Sequence, residues 1–175
     1  MIRIAGLEKE SIVDGEGIRY VIFTQGCNHN CLGCHNPESH DFNGGTLIDD
    51  TVILDEIKNN CLLDGITLSG GDPMFQAKNL INIAKYCKDN NLSVWLYTGF
   101  MFEQFLKFKK HDKDNVDTRI TQDMIELLKY TDIVVDGPFV MQLKTMEKPY
   151  RGSSNQRIID VQKSLKTGKI VIYKK

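Results

Sequence analysis

The sequence lacks a strong charge of either sign, and it lacks a long apolar run. Its formal net charge is −1 over 175 residues, so no global field draws it to nucleic acid or to anionic membranes. A charged stretch at 107–119 mixes lysine and aspartate, as solvated surfaces do. No segment approaches the ~18 apolar residues of a membrane span, and residues 1–12 have no apolar core of a secretion signal. We expect a cytoplasmic protein that binds neither nucleic acid nor membrane.

The cysteines do not form an even, dispersed set. There are five, and three of them fall within eight residues, at Cys27, Cys31 and Cys34. An odd number with local crowding argues against a disulfide framework and favours metal binding in a reducing compartment. Cys61 and Cys87 stand apart, and we expect both to be small core residues; Cys87 has the helical spacing of one.

Short apolar, β-prone segments alternate with segments of helical spacing. We predict strands at 19–24, 65–69, 93–97, 132–135, 158–161 and 170–173, and helices at 51–60, at 77–90 and from residue 121. This alternation predicts parallel βαβ units and an α/β fold. A complete (β/α)₈ barrel needs ~250 residues. We therefore expect one domain over residues 1–175, built as an open, partial (β/α) barrel with fewer than eight βα units.

Unusual loops follow the four central strands of this prediction. The cysteines follow the first, Gly70-Gly71-Asp72 the second, Thr98-Gly99 the third and Asp136-Gly137 the fourth. In parallel α/β folds the functional groups gather at the carboxyl ends of the strands. The sequence therefore predicts one site at this edge.

The spacing of Cys27, Cys31 and Cys34 suits a redox cluster better than a structural ion. Four cysteines complete a cluster of four irons, but only three are present here, so one iron would lack a protein ligand. An open metal position marks catalytic sites. The alternative is a zinc site with His29 or His35 as fourth ligand. Structural zinc sites usually join two separated ligand pairs, and no second pair exists.

The cysteine loop, residues 26–37, resembles the cluster loop of radical S-adenosylmethionine enzymes, and the wider stretch 14–37 is similar to the activases of glycyl-radical enzymes. Four further segments make the resemblance more specific, and they occur in order along the chain: 69–73, 97–99, 135–139 and 151–156. Together they resemble the activators of the anaerobic ribonucleoside-triphosphate reductase.

This resemblance implies a mechanism. A 4Fe-4S cluster on the three cysteines would take an electron from a donor such as flavodoxin or ferredoxin. S-adenosylmethionine would be cleaved to methionine and a 5′-deoxyadenosyl radical, which removes hydrogen from a glycine of the reductase large subunit. Two alternatives remain: an activase of another glycyl-radical enzyme such as pyruvate formate-lyase, and a radical enzyme that acts on a small molecule.

The resemblance also implies how the adenine is held. Many radical S-adenosylmethionine enzymes have an aromatic residue just before the third cysteine, and this chain has Gly33 there. Without that stacking contact, adenine would depend on main-chain groups near Gly33, Cys34 and His35.

The remaining implied contacts lie on the other strand ends. Gly70 and Gly71 let carbonyl groups approach a ligand closely, and with Asp72 they would accept hydrogen bonds from the methionyl ammonium. Asp136 would bind a ribose hydroxyl or cap the turn that follows it. Thr98 carries the same two interpretations.

We predict that Cys27, Cys31 and Cys34 are each required for the cluster, because they are its only complete ligand set. Single alanine variants, reconstituted anaerobically, should lose full iron and sulfide content. Cys61→Ser and Cys87→Ser are the controls and should keep the cluster, with at most a stability loss from a buried hydroxyl. A Cys27→Ala protein with a complete four-iron cluster would contradict the assignment.

Overall fold

The computed structural model describes residues 1–109 and 117–174, and a seven-stranded mixed sheet lies at its centre. The strands are β1 (Ile2–Ser11), β2 (Arg19–Thr24), β3 (Thr46–Ile48), β4 (Gly65–Gly70), β5 (Ser93–Tyr97), β6 (Ile133–Asp136) and β7 (Arg157–Asp160). Their spatial order is β3-β1-β2-β4-β5-β6-β7. The central strands β2, β4, β5 and β6 are parallel, whereas β1, β3 and β7 each run antiparallel to a neighbour. Within the described residues β3 and β7 are the two edges, so the sheet is open.

Within the described residues, five α-helices connect or follow these strands. They are α1 (Asp50–Asn59), α2 (Ala77–Asp89), α3 (Phe102–Lys109), α4 (Gln122–Lys129) and α5 (Val161–Thr167). In three of them the residue just before the helix provides the side-chain cap: Asp49 accepts from the amide of Thr51, Thr121 caps α4 and Asp160 caps α5. Such caps satisfy amides that the first helical turn leaves without partners. None of the helices in the described part of the chain is long and apolar enough to cross a membrane.

The two faces of the sheet have different roles. Successive side chains of a strand point to opposite faces, and one face packs against the helices to form the main core. That core includes Tyr20, Ile22, Ile66, Leu68, Val94, Leu96 and Val134. The opposite face carries a smaller cluster of Trp95, Ile133 and Val135, with Tyr97, Tyr150, Ile158 and Tyr173 packed on it. Helices therefore cover one face, and the other is left to line a cavity.

The α/β class and the four central strands are confirmed. The predicted strand at 158–161 is β7, at 157–160, and it pairs antiparallel to β6. The predicted strand at 170–173 is wrong, because only an isolated bridge joins Ile172 to Ile159. Two strands, β1 and β3, and two helices, α3 and α5, were not predicted. Cys87 is buried as expected, but the expectation that Cys61 is a core residue is wrong, because Cys61 is exposed. Residues 110–116 of the charged stretch lie outside the described residues.

A buried arginine ties the amino ends of three parallel strands together. Arg19 is fully buried. Its Nε donates to Thr67 Oγ1 (2.9 Å), Nη1 to the carbonyl of Glu16 (3.0 Å) and to Ser93 Oγ (2.7 Å), and Nη2 to the carbonyls of Ser93 (2.9 Å) and Ile66. Burial lowers the pKa of Arg19 to about 10. Since all these partners depend on one guanidinium, its loss would leave several buried acceptors without donors.

We predict that Arg19→Met lowers the free energy of unfolding by about 2–4 kcal/mol, because methionine fills similar volume but donates no hydrogen bond. Anaerobic urea denaturation of the cluster-free protein measures this. Lys58→Met is the control: Lys58 is half exposed, its ammonium pairs with Asp55 at the surface and lies 5.5 Å from the ring centroid of Tyr86, so the substitution should change stability by less than about 1 kcal/mol. Equal effects of the two substitutions would contradict the role given to Arg19.

Candidate functional site

A cavity of about 810 Å³ opens at the carboxyl edge of the parallel strands. It lies within the range of ~300–1,000 Å³ that small-molecule sites occupy. The structure brings most of the predicted site residues to its wall: Cys27, Cys31, Cys34, His35, Gly70, Gly71 and Thr98. Gly33, Asp72 and Asp136 do not line it. The four loops that the sequence placed at one edge do converge there.

Each of the three cysteine sulfurs in this cavity has a main-chain amide beside it. Burial raises the pKa of Cys27 to about 11, and a hydrogen bond from the main-chain N–H of His29 opposes that rise. Burial likewise raises the pKa of Cys31, opposed by the amide of Phe139. The amide of Asn36 lies 3.4 Å from Cys34 Sγ. Amide donors to cysteine sulfur stabilise the negative charge of iron–sulfur centres.

The donor set of this cavity can be compared with that of an iron–sulfur cluster. Within residues 1–109 and 117–174, no three His, Cys, Asp or Glu side chains are close enough to hold a single metal ion. Each cysteine of a four-iron cluster binds a different iron, so the sulfurs need only face a common cavity. The donor set, three thiols and their amides, therefore fits a cluster.

The cysteine loop follows an irregular path that needs residues tolerant of a left-handed backbone. Gly33 has a φ of 73° and Asn30 a φ of 51°. A Cβ at Gly33 would also lie 2.6 Å from Cε of Met141. An aromatic residue therefore cannot take the place of Gly33 without moving Met141 and straining the backbone.

Gly70 and Gly71 lie where the chain approaches itself. A Cβ at Gly70, which has a φ of 98°, would lie 2.5 Å from the amide nitrogen of Thr24. A Cβ at Gly71 would lie 2.5 Å from the carbonyl oxygen of Gly26, and that oxygen accepts from the amide of Asp72 (3.0 Å). The glycines thus let the end of β4 pack on the start of the cysteine loop, in addition to lining the cavity.

Asp72 is buried behind the cavity wall. Its Oδ2 accepts from His29 Nε2 (2.7 Å), Thr98 Oγ1 (2.8 Å) and the amide of Gly99 (2.9 Å), and its Oδ1 accepts from the amide of Met74 (3.0 Å). The direct contact with a cofactor ammonium expected from the sequence is not available in this arrangement, because protein donors surround the carboxylate.

Asp136 is also buried and occupied by protein groups. It accepts from the amide of Phe102 (2.8 Å), the first residue of α3, and it forms an ion pair with Arg157. Arg157 in turn pairs with Glu103, and these two carboxylates raise the pKa of Arg157 while the guanidinium lowers that of Glu103. Of the two interpretations, this geometry is that of a cap, placed on α3 and not on the turn that follows Asp136.

Several wall residues were not singled out from the sequence. Tyr97 and Tyr150 belong to the inner aromatic cluster, and Met146 lines the mouth. Arg151 lines the cavity, and its Nε is buried with no hydrogen-bond partner within the described residues. From the sequence, the polar, turn-like segment 151–156 is either a surface turn or, by its resemblance to the family, a contact for the cofactor or the partner; the structure places its first residue at the cavity wall. Its orphaned donor makes Arg151 a candidate contact for an anionic ligand.

We predict that Gly71→Ala lowers the iron and sulfide content after anaerobic reconstitution by several-fold, because the added methyl group presses on the carbonyl of Gly26 and displaces the cysteine loop. Gly6→Ala is the matched control, since a Cβ at Gly6 meets nothing within 4 Å. Circular dichroism checks that both variants fold. A folded Gly71→Ala protein that loads a complete cluster would show that the loop tolerates the displacement.

Comparison with known proteins agrees with this geometry. A family profile described as "4Fe-4S single cluster domain" matches residues 13–159. The chain is 30% identical over 157 residues to the anaerobic ribonucleoside-triphosphate reductase-activating protein of Haemophilus influenzae, covering 84% of this chain and 90% of that protein. The protein of the same name from Pasteurella multocida is 32% identical over 158 residues, with coverage of 84% and 90%. That of Escherichia coli is 29% identical over 154 residues, with coverage of 83% and 90%. The chain belongs to the family of anaerobic ribonucleoside-triphosphate reductase-activating proteins and contains a 4Fe-4S single cluster domain.

Proposed function

We propose that this protein activates the anaerobic ribonucleoside-triphosphate reductase by generating a glycyl radical on its large subunit, with a 4Fe-4S cluster and S-adenosylmethionine as cofactors. The observation that carries the proposal is the convergence of Cys27, Cys31 and Cys34 on one cavity, in a chain whose relatives are named as activating proteins of that reductase. The fold we propose for it is a single domain built as a partial barrel of the radical S-adenosylmethionine type.

The three cysteines would hold the cluster, and their main-chain amide neighbours would stabilise its charge. When bound, the cluster and S-adenosylmethionine supply the reductive cleavage that yields methionine and the 5′-deoxyadenosyl radical. The role of the protein is to bind and orient these two cofactors and to exclude water from them. Because the loop has three cysteines, the fourth iron would have no protein thiolate and would be open to the cofactor.

The cavity wall offers groups of the kinds that S-adenosylmethionine requires. The buried Nε of Arg151 is a free donor for an anionic group, and the strand end at Gly70-Gly71 would offer carbonyls to the ammonium. We assign adenine to the main chain near Gly33, Cys34 and His35, where His35 is supported by the ring of Phe139 at 4.8 Å.

Ribose is assigned to Thr98, which lines the cavity. Asp72 and Asp136 would act from behind the wall, by holding the groups that line it. We propose that the electron donor is a flavodoxin or ferredoxin and that the protein is cytoplasmic.

Exposed apolar side chains at the cavity mouth favour a protein substrate. Ile12 and Val13 are each 72% exposed and Met146 is 91% exposed, and all three line the cavity. Leu32, within the cysteine loop, is 75% exposed. Large apolar side chains grouped around a site are typical of protein–protein contact. Hydrogen abstraction needs the donor carbon held at ~3–3.5 Å, and an open mouth admits a peptide loop to that distance.

The test mixes the reconstituted protein anaerobically with its host's reductase, S-adenosylmethionine and a reductant. We expect a persistent glycine-centred signal by electron paramagnetic resonance on the reductase and ribonucleotide reduction that depends on it. The Cys31→Ala protein is the control and should give neither. Cofactor cleavage without a radical on the reductase would overturn the substrate assignment and favour a different glycyl-radical enzyme or a small-molecule substrate.

A further inference from the structure

One histidine of the cysteine loop points into the protein and not into solvent. Of the five residues that separate the three cysteines, Asn28, Asn30, Leu32 and Gly33 are exposed. The side chain of the fifth, His29, is only 8% exposed. Among the residues between the cysteines, it is therefore the one whose side chain packs against the rest of the fold.

The hydrogen-bond partner of His29 is Asp72, a buried carboxylate that accepts several hydrogen bonds. Nε2 of His29 lies 2.7 Å from Oδ2 of Asp72, whose side chain is 1% exposed. An ionised carboxylate only accepts, so Nε2 donates. Asp72 also accepts from Thr98 Oγ1 and from the amide of Gly99. Through this single carboxylate the cysteine loop is joined to the ends of both β4 and β5.

The pocket around the imidazole is shaped for it. The ring of Phe100 meets it edge-on, with centroids 4.7 Å apart at 83°, and Phe75 packs at 5.8 Å. A Cβ on Gly99 would lie 2.5 Å from Cδ2 of the imidazole. The glycine therefore leaves the space that the imidazole fills, and the ring has no room to turn away from Asp72.

We infer that His29 is a positioning residue that holds Cys27 and Cys31 in place for the cluster by fixing their loop, through Asp72, to the ends of β4 and β5. The inference rests on the cluster assignment of the proposed function and adds a residue to it. Cys27 and Cys31 each lie two residues from His29, one on either side. Displacement of His29 would therefore displace both of these ligands.

The test compares His29→Ala with His29→Gln, because a glutamine amide nitrogen can reach the position of Nε2. After anaerobic reconstitution, iron and sulfide content are measured, followed by the rate at which a chelator bleaches the cluster absorbance. We expect His29→Ala to lose its cluster about 10-fold faster, within the 10–100-fold range typical of residues that orient metal ligands. His29→Gln should recover most of that loss. Asn28→Ala, an exposed neighbour in the same loop, should match the wild type.

Gly99→Ala provides an independent arm that leaves His29 in the chain. Its methyl group would push the imidazole away from Asp72, so the cluster of Gly99→Ala should bleach as fast as that of His29→Ala. If His29→Ala does not fold, Gly99→Ala alone tests the role of His29. Wild-type retention in either folded variant, or no recovery in His29→Gln, would overturn the inference. A wild-type protein that holds its cluster but yields no radical on the reductase would end the proposed function and leave the His29 comparison intact.

Discussion

A buried carboxylate must be surrounded by donors, since an unpaired charge is too costly to remove from water. Asp72 meets this requirement with groups from three separate segments: His29 of the cysteine loop, Thr98 and Gly99 after β5, and Met74 just beyond Asp72 itself. The geometry of the site depends on this convergence. It sets the distance between the cysteines and the strand ends that face them across the cavity.

The two faces of the sheet have different roles, and this makes that convergence possible. Helices and the main core cover one face. The second face carries a smaller buried cluster, and two aromatic side chains packed on it, Tyr97 and Tyr150, line the cavity. Arg19 secures the amino ends of three strands, and Asp72 secures loops at their carboxyl ends. Rigidity at both ends suits a site that must hold a cluster and still admit a partner at its mouth.

The sequence predicted the central strands well because β2, β4, β5 and β6 are continuous apolar runs with clear turn signals at their ends. It missed β1, whose second half has three consecutive exposed charged residues, and β3, which has only three residues. It placed β7 one residue too late because Val161 is apolar, although Asp160 caps a helix there. It placed the cysteines and glycines at one edge correctly. It could not show that Asp72 and Asp136 face inward, because their partners, His29 and Arg157, are distant in sequence and carry no pattern of their own.

The central claim is that three thiolates hold a cluster whose remaining iron is open to S-adenosylmethionine. The most direct measurement is electron paramagnetic resonance of the reduced, reconstituted protein before and after addition of S-adenosylmethionine, with iron and sulfide counted per chain. The account predicts a cubane cluster on each chain and a changed spectrum when the cofactor is added, because the cofactor becomes a ligand of the open iron. A single bound metal ion, or a cluster whose spectrum is the same with and without the cofactor, would contradict it.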